Sequence, residues 1–427
     1  TTLTLSDVGG TATLSADVDV TTLTVGNTVA NVVFSGNGSS VVDAVSFAND
    51  GTLTLGTNGG TQTYNGGLTT TSVGGTVTLN GSIVTSNDAV VFSAVTLGSA
   101  TTVDTNSSDT TGDITIGAVT GGSNSLTLST GNNVANTDIS ASGAISGVTT
   151  LTLSDVGGTA TLSGDVDVTT LTIGNTVANV VFTGNGSSVA NAVTFANDGT
   201  LTLGTSGGTQ TYNGGLTETT TGTVTLNGTI ASSNDVLTFG AVTLASATTI
   251  DTNATNTTGD LTIGVVTGGN NTLTLSTGDN VANSDITASG NISGVSTLTL
   301  ADVGGTATLS GDVDVTTLSV GDTVANVVFT GAGSTVTNAV SFQNDGTLNI
   351  GAATDDQRQT FAGGITTTSV GGTVTFDGQL FSDNGDITLG AITLSSARFV
   401  GIGTNSTSGG AGGDLTISGN ITGGGQE

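Results

Sequence analysis

A long tandem repeat is the feature that most limits the folds open to this chain. The segment TTLTLSDVGGTATLSADVDV begins at Thr1 and returns from Thr149 with a single change, Ala16 to Gly164. It returns again from Ser296 as STLTLADVGGTATLSGDVDV. Duplication this close predicts a structure built from stacked copies of one unit that do the same physical job. Matched aromatic positions also recur, at Phe34, Phe182 and Phe329, and at Tyr64, Tyr212 and Phe361.

The copies predict a division of the chain into residues 1–148, 149–295 and 296–427. The third copy departs from the others at residues 353–358 and closes with a run of glycines at 423–425. Terminal repeats of solenoids are commonly atypical, so we expect a cap or a junction at this end. The three copies together are expected to form one continuous rod. The chain starts without Met or a signal peptide, which suggests a processed product or an excerpt of a longer protein.

A finer period lies inside the long repeat and predicts β-strands. Triplets such as Leu3-Thr4-Leu5 and Val77-Thr78-Leu79 place alternate residues on opposite faces of a strand. Gly- and Asn-rich segments separate the triplets at turns, and the sequence contains no Pro. The absence of Pro suits a sheet in which every strand pairs on both sides, since Pro would remove a ladder donor.

Short strands at this spacing leave a β-sandwich array or a parallel β-helix. Sandwich modules usually carry a buried Trp and Pro-marked turns, whereas this chain has Trp 0, Pro 0 and 3% aromatic residues. Its core must consist of Val, Leu, Ile and Ala, which suit a narrow interior. We therefore predict an all-β fold, a parallel β-helix solenoid with about 18–22 residues per coil.

Composition excludes several classes of function. With His 0, Cys 0 and only two cations, the chain lacks a near-neutral proton shuttle, a thiolate and a Schiff-base amine. A polysaccharide lyase or hydrolase would need clustered acids and aromatic subsites, so we predict that the chain is not an enzyme. A net charge of −30 argues against nucleic acid as a partner. No apolar run is long enough to predict a membrane span.

The chain resembles a class of bacterial surface proteins. The resemblance rests on richness in Gly, Asn, Ser and Thr, on the lack of Cys, and on triplets such as Leu126-Thr127-Leu128 followed by Ser-Thr-Gly-Asn-Asn. In these features the chain is similar to the β-helical shafts of filamentous haemagglutinin-like and autotransporter-type proteins, and to the repeats of giant cell-surface proteins. The resemblance implies a secreted, right-handed parallel β-helix that serves adhesion, sheath or filament formation.

Aspartates recur in register, and each copy contains an Asp-Val-Asp-Val segment. On a strand this alternation points both carboxylates to one face and both valines to the other. Two carboxylates on a solvent face, with backbone carbonyls and water, could bind Ca²⁺, which is the one cofactor that the sequence suggests. The alternative is that they are solubilising residues beside a turn. The candidate ligands are Asp17, Asp19, Asp165, Asp167, Asp312 and Asp314.

Both cations of the chain lie in the divergent part of the third copy. A cation in so acidic a protein experiences a favourable potential, so these residues could contact the acidic surface of a neighbouring chain. Incidental surface placement is the alternative. The candidate contact residues are Asp355, Asp356, Arg358 and Arg398.

The sequence thus predicts a structural protein of the cell exterior. The expected function is that of a protomer or segment of a bacterial surface filament, self-associated by end-to-end or lateral stacking of coils. The alternative is an adhesin shaft or carbohydrate-binding surface protein, with neighbouring cells or surface glycans as partners.

Overall fold

The fold is a parallel β-solenoid with about 21 residues per turn and about 18 turns. This confirms the predicted fold class, and the right-handed sense implied by the resemblance stays a prediction. The described residues contain no helix, and so none long and apolar enough to cross a membrane. The structure is a computed structural model that describes residues 1–109, 111–131, 134–256, 259–278, 281–351, 358–394, 400–404 and 412–423.

The chain forms two compact units. Unit 1 comprises Thr1–Gly204 with Thr219–Thr223, and unit 2 comprises Thr205–Glu218 with Val224–Glu427. The strands of unit 1 are β1 (Thr2–Leu5), β2 (Thr11–Leu14), β3 (Asp19–Val20), β4 (Thr22–Val25), β5 (Asn31–Phe34), β6 (Ser40–Val41), β7 (Val45–Ser46), β8 (Leu53–Leu55), β9 (Thr61–Tyr64), β10 (Leu68–Thr69), β11 (Val77–Val84), β12 (Val90–Phe92), β13 (Val95–Asp104), β14 (Ile114–Ile116), β15 (Val119–Thr120), β16 (Leu126–Ser129), β17 (Ile139–Ala141), β18 (Ile145–Ser154), β19 (Thr159–Leu162), β20 (Val166–Ile173), β21 (Asn179–Phe182), β22 (Ser188–Val189), β23 (Val193–Phe195) and β24 (Leu201–Leu203).

Unit 2 continues the same kind of short parallel strand. Its strands are β25 (Thr209–Tyr212), β26 (Leu216–Glu218), β27 (Val224–Ser232), β28 (Leu237–Phe239), β29 (Val242–Asp251), β30 (Leu261–Ile263), β31 (Val266–Thr267), β32 (Thr272–Ser276), β33 (Ile286–Ala288), β34 (Ile292–Ala301), β35 (Thr306–Leu309), β36 (Val313–Val320), β37 (Asn326–Phe329), β38 (Thr335–Val336), β39 (Val340–Ser341), β40 (Leu348–Ile350), β41 (Arg358–Phe361), β42 (Ile365–Thr366), β43 (Val374–Phe376), β44 (Gln379–Phe381), β45 (Ile387–Leu389), β46 (Ile392–Leu394), β47 (Gly401–Gly403), β48 (Leu415–Ile417) and β49 (Ile421–Gly423).

Three stacks of parallel strands make up unit 1, because each turn contributes one strand to each stack. Stack A consists of β1, β4, β7, β10, β12, β14, β17, β19, β21 and β24. Stack B consists of β2, β5, β8, β15, β22 and the first parts of β11, β13, β18 and β20. Stack C consists of β3, β6, β9, β16 and the second parts of those four long strands.

Unit 2 also contains three stacks. Stack D runs through β25, β32 and the second parts of β27, β29, β34 and β36. A bridge between Val320 and Phe342 continues it into β39, β42, β45 and β48. Stack E runs from β26 through β28, β30, β33, β35, β37, β40, β43 and β46 to β49. Stack F consists of the first parts of β27, β29, β34 and β36, together with β31, β38, β41, β44 and β47.

Individual turns vary in length around the mean. Val77 pairs with Val95, 18 residues on, whereas Ile387 pairs with Leu415, 28 residues on. The extra residues lie between paired strands, so the pairing continues while the connections lengthen. The predicted coil length therefore describes the mean turn, and the sequence pattern did not foresee the longer loops.

Apolar side chains in register fill the interior. Strand β11 alternates buried and partly exposed residues along its whole length, as the period-2 pattern predicts. Parallel pairing then places like residues above one another, as in the buried column Phe34, Leu55, Leu79 and Leu97. Such columns remove aliphatic surface from water on both sides of every turn, and this burial stabilises the stacking.

An aromatic cluster with a polar anchor interrupts the aliphatic core in copy 1. Tyr64 makes edge-on contacts with Phe34 and Phe47, each with ring centroids 6.3 Å apart. The Tyr64 hydroxyl donates to Gln62 Oε1 at 3.0 Å, and Gln62 Nε2 donates to the Phe34 carbonyl at 2.7 Å. Both polar side chains are fully buried, so these bonds replace those that water would make.

Copy 3 repeats the cluster without its hydroxyl. Phe361 stands where copy 1 has Tyr64, and its ring centroid lies 5.8 Å from Phe329 and 6.0 Å from Phe342. Gln359 still donates its amide to the Gly331 carbonyl. Its Oε1, however, is buried without a hydrogen-bond partner among the described residues, because no phenol reaches it.

We predict that Phe361→Tyr stabilises unit 2 by about 1 kcal/mol, because the new hydroxyl gives Gln359 Oε1 its missing donor. The reciprocal change, Tyr64→Phe, is expected to cost about 1–3 kcal/mol, since it leaves Gln62 Oε1 unpaired. Thermal unfolding followed by circular dichroism measures both. Lower stability for Phe361→Tyr would contradict the assignment.

Burial also predicts a loss of stability in alkaline solution. Burial raises the pKa of Tyr64 and of Tyr212 well above 10.0, so the fold favours the neutral phenols. Their contribution is complete below the unfolded pKa near 10 and is lost as the pH rises towards the folded pKa. We expect the melting temperature to fall between about pH 9 and about pH 11.

The double variant Tyr64→Phe with Tyr212→Phe is the control for this prediction. The chain has only two Tyr, no Cys and no lysine, so few other side chains titrate in that range. The melting temperature of the double variant should be lower than that of the parent at neutral pH but should change little up to about pH 11. An equal alkaline fall in both proteins would show that the tyrosines are not the cause.

Candidate functional site

The first aspartate of each Asp-Val-Asp-Val segment bonds to the next turn. Asp165 Oδ1 accepts the backbone N–H of Gly186 at 2.8 Å. Asp17 does the same with Gly38 and Asp312 with Gly333, both at 2.7 Å. Where the chain turns between two strands, a backbone N–H has no carbonyl partner in a neighbouring strand and needs another acceptor. These carboxylates therefore have a structural role that the alternation pattern did not reveal.

The same arrangement joins successive turns elsewhere in unit 1. Asp113 Oδ1 accepts the backbone N–H of Asp138 at 2.9 Å, and Asp138 Oδ1 accepts that of Thr159 at 2.7 Å. Asparagine does likewise, since Asn31 Oδ1 accepts from Thr52 N at 2.9 Å. Many of the acidic side chains thus accept hydrogen bonds from the next turn in addition to carrying surface charge.

The second aspartate of each segment faces outwards from a strand. Asp167 is exposed in β20, and pairing places it between Ser146 and Ser188 on the outer side of stack B. Asp19 is the exposed first residue of β3, and the exposed Asp314 lies in β36, where it accepts the Thr335 N–H at 3.0 Å. Within the part of the chain that the structure describes, no three acids gather into a metal-binding group. The Ca²⁺ hypothesis therefore stays a prediction.

A surface groove opens where β18 turns the corner between stacks B and C. The register of β18 against β20 shifts between Ser146 and Val148, and the intervening Gly147 has a φ of 65°. This left-handed conformation suits glycine, which has no Cβ to clash. The shift is a β-bulge, which leaves a gap beside the strand. We call this the bulge groove, lined where copy 1 meets copy 2 by Gly147, Val148, Asp167, Val168 and Thr169.

The bulge groove recurs where copy 2 meets copy 3, with the same residue types. There the register of β34 against β36 shifts after Ser293, and Gly294 has a φ of 67°. The matching residues are Gly294, Val295, Asp314, Val315 and Thr316. In copy 1 an open counterpart is lined by Asp19, Val20 and Thr21.

Equivalent segments of successive copies lie in different stacks. The segment TLTL is β1 of stack A in copy 1, but in copy 2 it is the second part of β18, in stack C. Likewise TATL is β2 of stack B and then β19 of stack A. Each copy therefore ends one strand short of a whole number of turns. Within unit 1 the grooves of Asp19 and Asp167 consequently face different sides.

The predicted contact residues of the third copy are only partly described. Arg358 is exposed at the start of β41, and its guanidinium lies 4.3 Å from the centre of the Phe381 ring in the next turn. This is a cation–π contact within the chain, which holds the side chain against the surface. Asp355, Asp356 and Arg398 lie outside the described residues.

Sequence reasoning gave no role to Glu218, whose side chain points into unit 2. It is 6% exposed, and its Oε2 accepts the Gly240 N–H at 3.0 Å. The matching positions are buried threonines, and Thr70 Oγ1 likewise accepts from Ser93 N. The signal was present, because a lone acid replaces threonine at an inward position of a Leu-Thr-Thr strand.

Comparisons with known proteins give no relative: no protein-family model, curated protein or solved structure matches the chain. What stands of the resemblance noted above is the parallel β-solenoid itself.

We predict that Asp165→Ala lowers the free energy of unfolding by about 1 kcal/mol, because it removes the acceptor of the Gly186 N–H. Asp165→Asn should retain most of that stability, since its amide oxygen can still accept. Asp167→Ala is the matched control in the same segment and should stay within about 0.5 kcal/mol of the parent. Equal effects of Asp165→Ala and Asp167→Ala in thermal unfolding would contradict the structural role of the first aspartate.

Proposed function

We propose that the chain is a segment of the shaft of an extracellular bacterial surface filament, assembled by stacking of solenoid turns. One comparison supports this most directly. Leu151 and Leu153 are 0% exposed with a turn on each side of their strand. In the identical segment of β1, for which the described residues supply a partner on one side, Leu3 and Leu5 are partly exposed.

A further turn stacked on β1 would complete the strand in both respects. It would cover the leucines, and burial of apolar surface contributes about 25 cal/mol per Å². It would also pair the open backbone edge of the strand, which is otherwise a template for association. Because the copies share their sequence, the turns of one molecule are suited to cover those of another.

The outer surface supports a shaft with uniform sides. Outward positions of stack B carry the row Thr54, Thr78, Thr96 and Thr120 in register. Threonine favours the pleated surface, and the net charge of −30 favours solubility. The extracellular location rests on the resemblance stated above and on the absence of Cys from the sequence. A secreted fibre of this composition would be stabilised by stacking rather than by disulfides.

An adhesin or carbohydrate-binding shaft is the second candidate function. The bulge groove favours it, because a recurring groove lined by carboxylate and hydroxyl groups gives the surface a repeated polar feature. Neighbouring cells or surface glycans would then be the partners. This role is compatible with the filament, since a shaft can carry binding sites along its sides.

Negative-stain electron microscopy of the purified chain tests the filament. We expect filaments a few nanometres wide, and we expect the double variant Leu3→Lys with Leu5→Lys to abolish or shorten them, because buried charge opposes stacking on β1. Imaging with and without a Ca²⁺ chelator tests the aspartate hypothesis in the same experiment.

The matched control is Thr2→Lys with Thr4→Lys, which adds the same charge on the exposed side of β1. It should leave filament length unchanged. Circular dichroism verifies that both variants keep their β-structure. Monodisperse particles from the unmodified chain, or equal filaments from all three proteins, would contradict assembly through this strand.

A further inference from the structure

A β-turn on the surface of copy 1 presents an Asn-Gly pair to solvent. The β-turn joins β8 to β9 and is closed by a hydrogen bond from the Gly60 N–H to the Thr57 carbonyl at 2.9 Å. Asn58 and Gly59 occupy its two central positions, and Gly59 has a φ of 72°. A type II turn requires this conformation at its third residue, and glycine adopts it without strain.

The tip of this β-turn is free, whereas its ends are held. Asn58 and Gly59 are exposed, and within the part of the chain that the structure describes neither the Asn58 amide nor the Gly59 N–H has a hydrogen-bond partner. A Cβ added to Gly59 would have no atom within 4 Å. A Cβ added to Gly81, by contrast, would lie 2.4 Å from the carbonyl oxygens of Thr57 and Gly60, so the next solenoid turn packs closely on the ends.

Other Asn-Gly pairs of copy 1 are held or crowded. The N–H that follows Asn37 donates to Asp17 Oδ1 at 2.7 Å. The N–H that follows Asn80, inside β11, donates to Ser99 Oγ at 3.2 Å. A Cβ on the glycine that follows Asn65 would lie 2.5 Å from a backbone nitrogen of the preceding solenoid turn. In each of these pairs the glycine nitrogen is either bonded or closely surrounded.

We propose that Asn58 is a site of spontaneous deamidation through a succinimide. The Gly59 nitrogen attacks Cγ of Asn58, and glycine suits this attack because it has no side chain to hinder it. The new N–Cγ bond replaces the Cγ–Nδ2 bond, and the proton of the Gly59 nitrogen leaves with the amide group as ammonia. Free rotation at the tip lets the nitrogen reach Cγ, which is the geometric condition for such an intramolecular step.

Water completes the reaction by opening the succinimide ring. Opening at Cγ gives aspartate, and opening at the main-chain carbonyl gives isoaspartate, in which the backbone runs through the former side chain. Either product adds a negative charge to a chain of net charge −30. Because the ends of the β-turn are packed against the next solenoid turn, we expect the change to stay at the tip and the fold to persist.

Copy 2 contains the same β-turn without the amide. Ser206 stands where copy 1 has Asn58, and Gly207 follows with a φ of 74°. The Gly208 N–H donates to the Thr205 carbonyl at 2.9 Å, as in copy 1. The β-turn therefore forms without asparagine, and Asn58→Ser removes the reactive group while keeping a sequence that this structure already accommodates.

Peptide mapping by mass spectrometry tests the proposal on the full chain incubated in mildly alkaline buffer. We expect conversion at Asn58 to be on the order of tenfold faster than at Asn37 or Asn80, because misplacement of a reacting atom costs at least this much in rate. In urea that unfolds the chain the three rates should converge, since the hydrogen bonds that distinguish the pairs are lost. Isoelectric focusing should show a slow acidic shift of the folded chain.

The variant Asn58→Ser should suppress most of that acidic shift, and Asn37→Ser, the matched control at another exposed Asn-Gly pair, should leave it unchanged. Conversion at Asn58 no faster than at Asn37 and Asn80 in the folded chain would overturn the proposal, as would the absence of conversion. The same preference for Asn58 in urea would also overturn it, in favour of a local sequence effect that needs no fold.

Discussion

Coverage of each turn by its neighbours is the constraint on which the rest of the structure depends. The strands are too short to bury their own side chains, and their backbone groups point along the stack, so every turn needs another above and below it. The two occurrences of TLTL show the consequence, because Leu151 and Leu153 in β18 are fully buried, whereas the equivalent Leu3 and Leu5 in β1 are partly exposed. The shared sequence makes both segments strands, and the turns stacked on each strand determine how far its side chains are buried.

Corners are the weak points of such a stack, since the ladder of strand hydrogen bonds stops there. Acidic and amide side chains supply acceptors at these points, as in the series from Asp113 through Asp138 to Thr159. This gives the acids a reason to recur at intervals of about one turn. It also explains how a chain of charge −30 remains compact, because its charges are spread along the stacks and many accept hydrogen bonds.

The three stacks of unit 1 are interchangeable with respect to sequence. NVVF forms β5 in stack B and β21 in stack A, and each is buried in the same alternating pattern. An interior of Val, Leu and Ile tolerates this exchange because each stack demands the same shape from its strands. Equivalent segments of successive copies can therefore lie in different stacks within unit 1.

The sequence by itself determined the fold class, the strand alternation and the recurrence of Asp17, Asp165 and Asp312. These follow from local periodicity and duplication, which are written along the chain. Only the tertiary structure decided that those aspartates bond to the next turn, that Glu218 points inwards, and that each copy ends one strand short of a whole number of turns. The reason is physical: such features depend on which residues lie about 21 positions apart across a corner, and bulges such as that at Gly147 change this register in ways that no local pattern specifies.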